Sequence, residues 1–187
     1  ASLRVLHVKN LFFNLTFFIV SMAFKYYAVK LSGVMIAVFV LQVLIPGFTD
    51  LLVLNGLAFP QVWRFVSSIF LHGGIGHLVL NLFALLLFGS ILEKFVGEKK
   101  LLLVFFVTGV LANLVSVNFY NSSLGASGAI FGVIGALIIV RPGMPVWAFG
   151  LPMPLFVAGF LWVGVDILGT IGFLTGNPIN STGNIAH

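Results

Sequence analysis

The sequence predicts an all-α polytopic membrane protein with a core of six transmembrane helices, the sixth cut off by the chain end. Three observations lead there. The 187-residue chain is 60% hydrophobic and only 7% charged, with a mean hydropathy of +1.21, whereas a soluble domain carries about 25% charged residues. Its apolar runs reach spanning length: Leu101 to Val140 contains no Asp, Glu, Lys or Arg. A membrane β-barrel would instead need short segments alternating polar and apolar residues. The few charges cluster between the runs, as they do in multi-pass helical proteins.

Taking charge gaps as spans gives Tyr26–Pro46, His77–Leu92, Leu101–Phe119, Leu124–Val140 and Pro145–Leu168, with a sixth span starting near Ile185. Several fall short of the roughly 20 residues of an upright span. Residues 1–30 read as an N-terminal cytoplasmic or interfacial segment, in which Leu11–Phe24 forms an interfacial helix, and 31–187 as the membrane domain. No small-residue cleavage pattern follows Leu11–Phe24, and Ala1 in place of Met suggests a trimmed start. The connection from Gly47 to about Gly76 is too apolar for a solvated loop. Leu51, Leu52, Trp63, Phe65, Ile69 and Phe70 suggest that it lies in the interface or against the helices.

The net charge of +5 comes from nine basic residues, too few and too scattered for a nucleic-acid stripe. With the N-terminus inside, Arg4, Lys9, Lys25, Lys30, Lys94, Lys99, Lys100 and Arg141 are cytoplasmic and only Arg64 lies outside. The positive-inside rule therefore predicts an N-in protein of the cell membrane. There is no cysteine, so disulfides and thiol catalysis are excluded. His72 and His77 are five apart, off a shared helical face, and no HExxH occurs, so no metal site is expected. The near absence of charge inside the spans disfavours a transporter.

This orientation brings distant polar residues to one depth. His77 and Asn81 open an inward-running span, Ser127 lies just inside the outer end of another, and His187 falls near the outer end of the sixth. Serine-dependent peptide hydrolysis needs a base for the hydroxyl proton and donors where the oxyanion develops. Ser127 is the candidate nucleophile and His187 the candidate base and later acid. His77 and Asn81, four apart, share one helix face and are candidate oxyanion donors. The first N–H groups of the helix at Ser127 point toward its start and could join them. Gly125, Ala126 and Gly128 form the small-residue stretch that lets a substrate backbone approach closely. The polar stretches Asn118–Ser123 and Asn177–Asn184 are suited to framing a watery cavity at membrane depth.

In order along the chain stand Trp63-Arg64, His72-x4-His77-x3-Asn81, Glu93-Lys94 with Gly97, Gly125-Ala126-Ser127-Gly128 and Gly183-Asn184-Ile185-Ala186-His187. At these residues, over roughly 40 to 187, the chain resembles the rhomboid family of intramembrane serine proteases. The resemblance implies a six-helix rhomboid-like core and a Ser127–His187 dyad without a catalytic acid or cofactor. It also implies His77 and Asn81 as oxyanion residues, and cleavage in or near the transmembrane segments of membrane-protein substrates within the lipid bilayer. Many members carry a Tyr four residues after the serine; here it is Phe131, which keeps the ring and loses the hydroxyl. A histidine at a chain terminus cannot be held as a base, so either the sixth helix continues beyond His187 or this form is inactive.

Blander readings compete. Gly125, Gly128, Gly132 and Gly135 also read as a close-packing stripe with Ser127 a small interfacial residue, and His77 could satisfy a buried hydrogen bond. His72 is expected to be structural, holding the Gly73-Gly74 turn, and Asp166 to have a structural or gating role. The rival at the level of function is a catalytically inactive relative that binds membrane proteins without cutting them.

Overall fold

The computed structural model describes residues 26–56, 59–148 and 150–174. The expected helix at Leu11–Phe24, His187 with the polar stretch before it, and the side chain of Asp166 lie outside what is described. The protein is mostly helical. Among the described residues, three helices are long and apolar enough to cross a membrane: α1 (Tyr27–Leu44), α4 (Ile75–Val96) and α5 (Glu98–Ser116). Between α1 and α4 come α2 (Phe48–Leu52), the short strand β1 (Leu54–Asn55), α3 (Arg64–Ser67) and a 3₁₀ turn at Ser68–Phe70. Strand β2 (Ser122–Ser123) precedes α6 (Ser127–Val140), and a hairpin of β3 (Pro145–Ala148) and β4 (Leu151–Pro154) leads into α7 (Leu155–Leu174).

Helix α6 is the hub. It carries no charge and is apolar on every side, as a helix enclosed by others must be. Ala129, Ile130, Val133, Ile134 and Leu137 are buried among Leu31 and Met35 of α1, Leu78, Leu85 and Leu92 of α4, and Leu101 and Phe105 of α5. At 14 residues it is only about 21 Å long, so Ser127 at its start lies below the level that a full span would reach.

Two glycines of α6 differ in what they face. At Gly132 an added Cβ would overlap Thr108 of α5, whereas at Gly135 it would meet nothing within 4 Å. On the facing helix an added Cβ at Gly109 would lie 2.7 Å from Ile69 Cδ1 and 3.1 Å from Ala129 Cβ. The pairs 109–129 and 108–132 set α5 and α6 antiparallel in close contact.

Helix α4 widens into a π turn at Leu85–Gly89. There Gly89 lets α1 in, since a Cβ would stand 3.2 Å from that of Ala28. Below the turn, the buried Glu93 reaches across to the start of α1. Its two oxygens accept the N–H groups of Tyr27 at 2.8 Å and Ala28 at 3.1 Å. A carboxylate at a helix N-terminus meets both unpaired donors and the positive end of the helix dipole.

Two expectations are corrected. The span expected at Pro145–Leu168 begins as the β3–β4 hairpin instead. Pro145, Pro152 and Pro154 cannot serve a helix interior, and Gly150 turns the chain at φ 78°. The fold is also not purely helical, for β1 pairs antiparallel with β2, Leu54 opposite Ser123 and Asn55 opposite Ser122. The 47–76 connection lies against the helices as expected. Leu54, Phe65, Ile69 and Leu71 are buried, while Leu51, Phe59, Val62 and Trp63 face outward.

Candidate active site

Two helix starts and one left-handed glycine make the site. Helix α4 begins at Ile75 and carries His77 in its first turn; α6 begins at Ser127. Gly125 holds φ at 123°, and an added Cβ would lie 2.7 Å from His77 Cε1 and 2.8 Å from its Nε2. The imidazole edge is thus seated on the backbone two residues before Ser127. A side chain there would have to displace the imidazole and hold a backbone angle that residues other than glycine rarely adopt. Ala126 is fully buried beneath the turn, while Ser127 and Gly128 are half-buried. The hydrogen-bond ladder of α6 begins with Ile130 N–H to the Ala126 carbonyl at 2.9 Å.

The 47–76 connection serves as the scaffold of this turn. Gly125 N–H donates to the Ser68 carbonyl at 2.9 Å, and the β1–β2 pair holds the strand just upstream. Ser68 is itself fixed from α5: the buried Asn113 donates to its Oγ at 3.0 Å and to the Phe65 carbonyl at 2.8 Å. Ser68 Oγ donates in turn to the Arg64 carbonyl at 2.7 Å.

Arg64, 5% exposed, anchors the whole connection. Its Nη1 donates to the carbonyls of Asp50 at 2.8 Å and Val53 at 2.7 Å, and its Nε to Gln61 Oε1 at 2.6 Å. A guanidinium over the last carbonyls of α2 suits the negative end of that helix. Charge bias assigns Arg64 to the outer side of the membrane, and in the structure its side chain is buried within the fold. The signal is the surrounding sequence, since an arginine inside an apolar stretch needs polar partners.

Asn81 is buried one turn below His77, and its Nδ2 donates to the His77 carbonyl at 2.9 Å. The amide carries a second hydrogen beyond this bond. The described geometry thus joins His77, Gly125 and the start of α6, with Asn81 adjacent to His77. His187 is outside the described residues, so its position relative to Ser127 is not part of this arrangement.

His72 stands behind His77, their rings edge to face at 5.2 Å. Its Nδ1–H donates to the Phe70 carbonyl at 3.2 Å, and the buried Nε2 has no hydrogen-bond partner among the described residues. Burial first, and then the neighbouring His77, lower its pKa to about 4; the Phe70 bond acts in the opposite direction. His72 is therefore neutral at physiological pH. His72 is expected to hold the Gly73-Gly74 turn, but its ring bonds the Phe70 carbonyl while the Gly73 N–H faces His77 Nδ1 at 3.5 Å, and its backbone is fixed by Gln42 of α1. Gln42 and Asn113 share one signal: each is an uncharged polar residue in the last turn of an apolar helix, where such groups require partners.

The comparisons with known proteins agree with this architecture. Residues 60–187 match the family model for the Rhomboid domain. Over 158 residues the chain is 29% identical to the rhomboid protease GlpG of Yersinia pseudotuberculosis, covering 80% of this chain and 56% of that protein. It is 42% identical over 79 residues to the rhomboid protease GluP of Bacillus subtilis, covering 42% of this chain and 16% of the relative. It is also 43% identical over 79 residues to rhomboid-like protease 3 of Toxoplasma gondii, covering 41% and 30% respectively. The chain spans little more than half the length of GlpG and less of the others. With the domain match running from Pro60 to His187 and the apolar helices around it, this is an integral multi-pass membrane protein, and it belongs to the rhomboid family.

Proposed function

We propose that this protein is an intramembrane serine endopeptidase that cleaves membrane proteins in or near their transmembrane segments through a Ser127–His187 dyad. The observation that carries the reading is the seating of His77 on Gly125 at the start of the helix opened by Ser127. In this reading Ser127 Oγ attacks the scissile carbonyl and His187 takes its proton, then returns it to the leaving amine. The oxyanion is met by His77, by the second hydrogen of Asn81 and by the Ser127 backbone N–H. The N-termini of α4 and α6, brought together by the His77–Gly125 contact, favour the negative charge that develops. Gly125, Ala126 and Gly128 leave the substrate strand room to lie against the turn.

The reading includes a six-helix core, with α7 followed by a helix that carries His187. It also includes an N-terminal segment over residues 1–30 leading into a membrane domain over 31–187, and a cytoplasmic N-terminus in the cell membrane. No metal or cofactor is required, and the substrate is recognised from within the bilayer.

A fluorophosphonate probe tests it on the full-length protein, because an isolated serine hydroxyl is too weak a nucleophile to react. Labelling should vanish in Ser127→Ala and nearly vanish in His187→Ala, with circular dichroism unchanged. Labelling that survives Ser127→Ala excludes this serine. No labelling of the full-length parent selects the inactive, membrane-protein-binding relative instead.

A further inference from the structure

At the end of the helices remote from Ser127 lies a second feature that the proposed chemistry does not use. A cleft of about 610 Å³ opens between the end of α4 and the end of α6, lined by Phe95, Val140, Arg141, Pro142, Gly143 and Met144. Its walls are apolar apart from one exposed cation. The Arg141 guanidinium is held 4.4 Å from the centroid of the Phe95 ring, a cation–π contact that leaves its N–H donors available. The nearest candidate counter-charge along α4, Glu93, is buried and has both oxygens on the N–H groups of Tyr27 and Ala28.

We propose that this cleft binds the headgroup of an anionic phospholipid, its phosphate on Arg141 and its upper acyl chain along Phe95 and Val140. Charge complementarity selects the occupant. The antiparallel α5–α6 register puts the start of α5 level with Arg141, so the exposed Lys99 and Lys100 stand at the depth of the cleft beside the exposed Glu98, and the exposed Lys94 directly precedes Phe95. A planar guanidinium pairs with phosphate in two-point fashion, which a point charge cannot do.

Depth agrees with this occupant. The hairpin beside the cleft is uncharged and turns Trp147, 79% exposed, and Leu151, 62% exposed, outward. An exposed indole on an apolar loop belongs at headgroup level. The cleft wall is fixed rather than mobile, because Leu155 N–H bonds the Met144 carbonyl at 2.8 Å and Phe156 N–H the Pro142 carbonyl at 3.1 Å. Basic pockets between helix ends at a membrane surface are a recurring form of anionic-lipid site.

The test uses the full-length protein in phosphatidylcholine vesicles containing spin-labelled phosphatidylglycerol or, separately, spin-labelled phosphatidylcholine. The motionally restricted fraction of each label gives their relative association with the protein. The parent should prefer phosphatidylglycerol about 3- to 5-fold, as roughly one close basic contact provides. Arg141→Gln should bring the ratio close to one, Arg141→Lys should retain part of it, and Phe95→Leu should weaken it without removing charge. The doubly substituted Lys99→Gln, Lys100→Gln protein should keep most of the preference. An unchanged ratio in Arg141→Gln overturns the site. So does a preference lost equally in the double lysine variant, which would mean diffuse surface charge. Arg141 is exposed at a helix end, and an unchanged thermal transition in each variant verifies the fold.

Discussion

The side-chain amide of Gln42 clasps the backbone of His72 from both sides. Its Oε1 accepts the His72 N–H at 2.9 Å and its Nε2 donates to the His72 carbonyl at 3.2 Å, with Thr49 Oγ1 as a second acceptor at 3.1 Å. Helix α1 thereby sets where the chain turns into α4 and, five residues on, where His77 stands. Gln42→Leu, nearly the same in volume, should leave two partly buried backbone groups unsatisfied and cost about 1–3 kcal/mol. Thermal unfolding in detergent reads the loss. Fluorophosphonate labelling should fall more than stability does, because the His77 turn loosens first. An unchanged melting point would show that water replaces the amide at this place.

His72 gives the protein an acid-sensitive joint. Its folded pKa is lowered to about 4 from the ordinary 6.5, so between those values the unfolded chain binds a proton that the folded one refuses. Stability therefore rises with pH across this window. The contribution is fully present above about pH 6.5, is lost as the pH falls toward 4, and levels off below. Melting temperatures measured from pH 7.5 to 4 should show this slope, and His72→Gln should flatten it. The same slope in His72→Gln would assign the effect to other groups.

The helices α1, α4, α5 and α6 were legible because charge gaps mark them, and His77 and Ser127 were legible as polar residues near the ends of such gaps. The scaffold was not. Gln42 meets His72 thirty residues away and Asn113 meets Ser68 across forty-five. Such bonds join separate helices and leave no local periodicity. The hairpin was hidden for another reason. From Pro145 to Val165 the chain has no charge, so a method built on charge gaps runs strand and helix together, although Pro152, Pro154 and Gly150 carry the break. Arg64 was legible as a charge on the outer side, but its bonds to Asp50, Val53 and Gln61 inside the fold were not.

Gly125→Ala is the most local probe of the candidate site. The new methyl would press on the His77 ring, and alanine would have to hold a φ of 123°. The backbone strain is about 1–3 kcal/mol, which the protein should survive with a lowered melting point. Labelling of Ser127 should drop at least about tenfold, since small displacements at a reacting centre cost that much or more. Parental labelling in a folded Gly125→Ala protein would mean that the His77 contact is incidental to reactivity.

Orientation can be read by cysteine accessibility. The antiparallel α5–α6 pair puts residues 99 and 141 at one end and Ser122 at the other, and the basic residues argue that the first end is cytoplasmic. Single cysteines at Ser122 should react with an impermeant thiol reagent in intact cells, and those at Lys99 and Arg141 only after lysis. Labelling of Lys99→Cys in intact cells would reverse the orientation.

Glu93 is the cross-brace whose loss should cost most at a distance from the site. Its carboxylate meets the first two N–H groups of α1, and among the described residues the N-cap Tyr26 adds no side-chain cap. Glu93→Gln keeps one acceptor oxygen but loses the charge, and should cost about 1–2 kcal/mol. Glu93→Ala leaves both donors without a partner inside the bundle and should cost about 3 kcal/mol or more. Because α1 also carries Gln42, near its other end, its displacement should be felt at His72. Thermal melts of the two variants, combined with Gln42→Leu in a double-mutant cycle, measure that link. Additive losses would mean that the two ends of α1 are held independently. A coupling of about 0.5 kcal/mol or more would mean that the helix transmits the Glu93 contact to the turn that positions His77.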